Sequence, residues 1–381
     1  MRCHPLFVVA VFASIPSTGW AQPISGSWTS PNRDRLMYPF ADNAGGRALS
    51  PIFSTLAEAG PDGRFDDRDA QFLVSYDTGA QVVAGLPPAF YHITRVRLTA
   101  MNQSDGLFPY DRTVDPVGSY FIASRPGFVA DADAGRPIEL FAVAYRAPFT
   151  ATTYAEFSPF KPGSSFTPPW IDVRYAYPIG FDTAGAALDA SNTIKSGTEL
   201  APIAIGQAVG VREGQSLPNP GDLVSEGTDF AFEVDLSNPS TLAYIQSSLA
   251  SGRLNLLVTA LHLAPEFGNG AVSYPVFYNR EAPILGFPDA LPARLLIEGV
   301  LCTADYNRDG FLNQEDLSGF ITSFLAEPAE PGVANFGYSR TCAGNAAPYQ
   351  LGFDADYNLD CEFNQEDLSG YITAYFEGCG E

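Results

Sequence analysis

Twelve oxygen donors recur at matched spacing near the C-terminus of this 381-residue chain. Asp305, Asn307 and Asp309 stand at positions 1, 3 and 5 of a twelve-residue window. The carbonyl of Phe311 follows at position 7, Asn313 at 9 and Asp316 at 12. Asp356, Asn358, Asp360, the carbonyl of Glu362, Asn364 and Asp367 repeat the set. A hard cation such as Ca2+ takes about six to eight oxygens, and a tight loop with donors at alternate positions gathers them around one point. The chemistry expected is calcium binding at two sites. Gly310 provides the sharp turn at position 6 of the first window, but Cys361 stands there in the second. A non-Gly residue at positive φ costs roughly 1 kcal/mol or more, so the second loop is the less favourable site.

The elements that must hold these donors repeat with them. Residues 304–325 and 355–376 are identical at 14 of 22 positions, at an offset of 51. After the first loop come Leu317, Phe320, Ile321, Phe324 and Leu325, the spacing of an amphipathic helix. Leu368, Tyr371, Ile372, Tyr375 and Phe376 repeat the stripe after the second. Each helix alone is short, so its apolar face is expected to be buried against the other. Residues 294–301 (RLLIEGVL) read as a strand, so the first loop lacks the leading helix of a complete EF-hand.

The paired D-Y-N-x-D-x-x-x-N-Q-E-D-L blocks, with Asp at position 12 and a terminal Gly378-Cys379, resemble dockerins, and more closely the GC-type dockerins of exported bacterial proteins. The spacer of residues 327–352 is longer than dockerin linkers usually are. The resemblance implies a cohesin-like or cell-surface protein as partner. It places partner contacts at Gln314-Glu315 and Gln365-Glu366, with Ser318 and Ser369 at matching places on the helices. Because both pairs are identical, two orientations on one receptor are expected if a twofold relates the halves.

Residues 1–21 read as an export signal: Arg2, an apolar stretch over residues 6–15, and Gly19-Trp20-Ala21 before the expected cut at Gln22. Ten apolar residues are too few to span a bilayer. The protein is therefore expected to be secreted, extracellular or at the cell surface, with no transmembrane segment. Removal of the signal leaves Cys302, Cys342, Cys361 and Cys379, all in the last 81 residues. In an exported chain these are expected to form two disulfides. No C-x-x-C and no His beyond His262 argues against zinc. Cys302 and Cys379 flank a near-twofold pair of loop-helix units, so they are expected to join, leaving Cys342 with Cys361. The net charge of −22 disfavours nucleic acid as a partner. It is uneven, with 14 acids and 2 bases in residues 301–381.

Residues 22–300 read as β. Apolar and β-branched runs at 71–76, 94–99, 138–145, 230–236, 254–261 and 294–297 are separated by Pro, Gly, Asp and Asn. One helix is expected after Asn238-Pro239, ending at Gly252. The fold class expected is mainly β, a sandwich or jelly roll followed by the small helical module. Three segments resemble DNRLRE-type β-sandwich domains: Arg68 to Asp77 followed by residues 93–98, Gly252-Arg253-Leu254-Asn255, and Phe277 to Glu281 followed by residues 293–297. A long insert between Leu107 and Gly227 departs from that compact pattern. The resemblance implies a jelly roll of an exported protein, with polysaccharide binding known in some members.

Catalytic residues are not identified. His92 and His262 read as structural, no G-x-S-x-G elbow exists, and Asp66-Asp67-Arg68-Asp69 reads as a solvated turn. Arg280-Glu281 reads as a salt-bridged strand end. Trp170, Tyr175 and Tyr177 occupy a Pro-rich region where their rings could stack on sugars. The function expected is a non-catalytic anchored protein, structural or polysaccharide-binding. The alternative is a dockerin-bearing carbohydrate-active enzyme with a carboxylate pair, a glycoside hydrolase or lyase.

Overall fold

The structure is a computed structural model that describes residues 22–41, 45–55, 66–164, 167–265, 271–302, 304–307, 312–325 and 365–377. The chain divides into two compact units, Pro23–Gly299 and one that holds Val300–Glu381 with Met1–Gln22. The expected signal segment lies outside the described residues. Among the described residues, no helix is long and apolar enough to cross a membrane.

The chain is mainly β. The described strands are β1 (Gln22–Trp28), β2 (Arg33–Met37), β3 (Leu49–Pro51), β4 (Phe53–Ser54), β5 (Arg68–Tyr76), β6 (Tyr91–Met101) and β7 (Ile138–Tyr145). They continue as β8 (Ala176–Phe181), β9 (Ala187–Asp189), β10 (Ala204–Gly210), β11 (Asp229–Glu233), β12 (Leu254–Ala260), β13 (Val276–Tyr278) and β14 (Arg294–Leu301). The main sheet runs β1-β14-β6-β11-β10-β7-β12-β5-β2, and β13 pairs with β3 in a small second sheet.

One strand turns the main sheet into two layers. Ala204 and Ile205 of β10 pair with β7, whereas Gly206 onward pairs with β11, with a register shift between Ala208 and Gly210. A strand that changes partners along its length is how a sheet rounds a corner and faces itself. The two layers share a core. Phe277 of β13 stacks on Phe72 of β5 (6.1 Å between centroids, 11°) and meets Phe230 of β11 edge-on (6.3 Å, 80°). All three rings are fully buried.

Strand sequences follow from these positions. In β6, Tyr91, Ile93, Val96, Leu98 and Ala100 are buried while Arg95 and Arg97 lie on the wetter face near Glu233, as one-sided exposure requires. Central β5, flanked by β2 and β12, is buried at every position. Its first residues are charged, and the expected solvated turn is instead a sealed network. Arg68 donates to both Glu139 oxygens (2.7 and 2.8 Å), to the Ala190 carbonyl (2.7 Å) and to Thr193 Oγ1 (2.6 Å). Asp66 accepts from Arg174 Nε (2.8 Å), and Asp67 accepts from the N–H groups of Ile194 and Lys195 (2.8 and 2.9 Å). Burial is tolerated because these charges are paired or hydrogen-bonded. Burial pushes Asp69 up to about 8 against the opposing charge of Arg174, which favours its neutral acid.

The described helices are α1 (Thr193–Ser196), α2 (Pro239–Ala250), α3 (Gln314–Leu325) and α4 (Gln365–Glu377). Helix α2 has the expected cap, with Asn238 Oδ1 accepting from the N–H groups of Ser240 and Thr241. Gly252 then takes a left-handed φ of 75°, where a side chain would be strained.

Candidate calcium loop and helix pair

The first loop is described at four of its donor positions, Asp305, Asn307, Asn313 and Asp316. Asp305 and Asp316 are both fully buried. Asp316 Oδ1 accepts the N–H of Asn307 (3.0 Å) and Oδ2 accepts the N–H of Asn313 (2.8 Å), so this carboxylate closes the loop on itself. Each oxygen keeps a further lone pair for a ligand. Asn313 Oδ1 accepts the N–H of Glu315 (2.7 Å), which makes Asn313 the N-cap of α3 as well as a loop residue. Glu315 and Asp316 fall in the first turn, where the helix dipole favours negative charge. The donor set is all oxygen and includes two buried carboxylates, which fits a hard cation. Asp309 and Phe311, with Asp356, Asn358, Asp360, Glu362 and Asn364, lie outside the described residues. Asp367 lies in α4, and its side chain is not described.

The helices that follow the loops pack through equivalent positions. Phe320 and Tyr371, separated by the repeat offset of 51, stack face to face at 3.8 Å and 5°. Tyr306 stands edge-on to both, at 5.5 and 6.1 Å. Tyr371 Oη donates to the carbonyl of Ala304 (3.0 Å), tying α4 to the start of the first loop. Leu317, Phe324, Leu368 and Tyr375 surround this centre. The apolar stripe is narrower than its spacing implies, because Leu325 and Phe376 are 70% and 75% exposed. They are again equivalent positions.

Gln314, Glu315 and Ser318, and their counterparts Gln365, Glu366 and Ser369, are all exposed. Ser318 Oγ donates to the Glu315 carbonyl (3.1 Å). Cys302 is buried and disulfide-bonded. Cys342, Cys361 and Cys379 lie outside the described residues, and so does the pairing.

In the β unit, each of the three candidate sugar-stacking rings packs against a different neighbour. Trp170 lies 6.3 Å from Phe40, Tyr175 packs edge-on against Phe149 at 4.8 Å, and the Arg146 guanidinium covers Tyr177 at 3.9 Å. Tyr177 and Pro178 are in β8, paired with β7, rather than in a loop. His262 is buried, edge-on to Phe108 at 5.1 Å, and burial lowers it to about 3, leaving a neutral ring.

A carboxylate trio that sequence did not single out is Asp34, Glu156 and Glu281, with ligand-capable oxygens within 4.8 Å of one another. Burial pushes Asp34 upward to about 8. Arg280 sits among them: its N–H donates to Asp34 Oδ2 (2.7 Å), its Nε to Glu281 (2.5 Å), and its terminal nitrogens to Glu156 and the Asn32 carbonyl. Asp34 and Glu156 are buried, so the trio reads as an arginine clamp that joins β2 to the end of β13. No protein-family model, curated protein or solved structure matches the chain.

Proposed function

We propose that this is an exported, calcium-binding anchored protein. Its β unit is structural or polysaccharide-binding, and its C-terminal dockerin-like pair tethers it to a cohesin-like or cell-surface partner. The observation that carries this reading is the stack of Phe320 on Tyr371, which brings repeat-equivalent residues of two loop-helix units face to face. Packing explains why Phe320 and Tyr371 correspond. It does not explain why Gln314-Glu315 and Gln365-Glu366, all exposed, are the same in both halves. A shared partner surface does.

The test is calcium-dependent capture by the immobilised full chain of surface proteins from the host, identified by mass spectrometry. One defined receptor is expected, retained when Gln314-Glu315 alone is replaced by alanines and lost when both Gln-Glu pairs are replaced. A receptor held equally by the doubly replaced chain, or equally in chelator, counts against anchoring through these faces.

A further inference from the structure

The long insert between β6 and β7 gathers four carboxylates, Asp111, Asp115, Asp131 and Asp133, around one arginine. Arg136 donates to Asp115 Oδ2 (2.8 Å), Asp131 Oδ2 (2.5 Å) and Ser119 Oγ (3.2 Å), which occupies its donors on that side. Asp111 and Asp133 are left facing each other across one hydroxyl. Thr113 Oγ1 lies 2.8 Å from Asp111 Oδ1 and 2.9 Å from Asp133 Oδ2. A hydroxyl has a single proton, so it can serve only one of these two oxygens as donor.

The second observation concerns the other Asp111 oxygen. Asp111 is 2% exposed, and its Oδ2 is buried without any hydrogen-bond partner. An orphaned carboxylate oxygen at such depth carries a large desolvation penalty that a bound cation relieves. Its Oδ1 meanwhile accepts the N–H of Thr113 (2.8 Å), which fixes the carboxylate's orientation. One oxygen each from Asp111, Asp115 and Asp133 lie within 4.8 Å of one another. Calcium–oxygen bonds of about 2.3–2.6 Å allow two ligands on one ion to stand up to roughly 5 Å apart, so a single ion reaches all three. The contrast with Asp34, Glu156 and Glu281 is instructive. There the arginine fills the middle of the trio, whereas here it holds the flank and leaves Asp111 facing Asp133. The site is also reachable, because Asp133 is exposed while Asp111 is not.

We propose that Asp111, Asp115 and Asp133 form a calcium site in the β unit that pins the start of the insert to the segment around Gly135. Close packing already marks that junction. Gly135 has φ 112°, and a Cβ there would lie 3.0 Å from the Pro109 carbonyl and 3.1 Å from Asp111 Cβ. The site is independent of the C-terminal loops and of the anchoring role.

The experiment uses the full chain, stripped with chelator and dialysed against calcium, with bound metal counted by atomic emission. Asp133→Asn alters an exposed side chain and so spares the fold. It and Asp111→Asn are each expected to bind one calcium fewer than the unmodified chain. Asp305→Ala is the control: combined with Asp133→Asn, it leaves the one-ion deficit of the β-unit variant still measurable against Asp305→Ala alone. A second readout is trypsin cleavage after Arg112, which calcium at about ten times its dissociation constant should slow about tenfold in the unmodified chain and not in Asp133→Asn. Calcium counts in Asp111→Asn and Asp133→Asn equal to the unmodified chain, with cleavage indifferent to calcium, overturn the site whatever Asp305→Ala shows.

Discussion

Burial is the largest influence that pushes two acids of the β unit up and one imidazole down, each toward its neutral form. Asp69 is pushed up to about 8, with Arg174 partly opposing that shift and Asp66 adding to it. Asp34 moves the same way, and His262 moves down to about 3. The signs differ in their effect on stability. A carboxyl raised above its unfolded value contributes stability that is full below about pH 4 and lost as pH rises through about 8. A depressed histidine contributes stability that is full above about pH 6.5 and lost as pH falls through about 3. Asp69→Asn is therefore expected to stabilise the β unit progressively more between pH 5 and pH 8.5, read from urea unfolding by the fluorescence of buried Trp28. His262→Phe is expected to flatten the acid limb instead. A gain from Asp69→Asn that is equal at both pH values would mean that Asp69 is ionised in the folded protein. None of this was legible in sequence, because Asp66-Asp67-Arg68-Asp69 looks like a solvated turn until Arg174, Glu139 and α1 arrive from distant positions to enclose it.

Among the elements, those whose local pattern agrees with their environment were readable. The run over residues 138–145 coincides with β7, and Asn238-Pro239 opens α2 where its capping chemistry places it. Strands β3, β4, β9 and β13 were not, being two or three residues long, too short to show alternation. Strand β8 was hidden by its proline, which suits an irregular segment as well as a strand near the sheet's margin. In the C-terminal unit the helical stripe was legible but its width was not, since spacing cannot say that Leu325 and Phe376 lie beyond the partner's reach. The residues that do meet carry a prediction. Phe320→Ala removes half of the central stack and should cost about 3–5 kcal/mol in that unit. Tyr371→Phe keeps both rings and loses only the bond to the Ala304 carbonyl, about 1 kcal/mol. Hydrogen exchange of α3 and α4 should accelerate accordingly, far more for Phe320→Ala, while β5 and β12 stay protected. Similar exchange in both variants would show that the stack is not what holds the pair.

At the scale of the molecule, the uneven charge becomes a statement about what each part needs in order to fold. The β unit surrounds its buried charges with its own arginines: Arg68 with Glu139, Arg174 with Asp66, Arg280 with Glu156 and Glu281. Residues 301–381 have 2 bases for 14 acids, so their carboxylates cannot be neutralised internally in the same way. Burying Asp305 and Asp316 in one loop raises their mutual repulsion as the dielectric falls, and a divalent ion would remove that cost. The expectation of such an ion came from donor spacing alone, because a loop twelve residues long brings its oxygen donors together locally. The insert around Asp111 needs distant segments to fold together, and it gave no such signal. Calcium is therefore expected to slow hydrogen exchange in α3 and α4 of the full chain, and in Asp133→Asn to do so while leaving β5 and β12 unchanged. Asp305→Ala should remove the response that originates in the first loop, and Asp34→Asn should not. If chelation leaves exchange in both helices unaltered even with the disulfides reduced, the carboxylates of this unit are accommodated without a cation and the calcium-dependent folding argued for it is wrong.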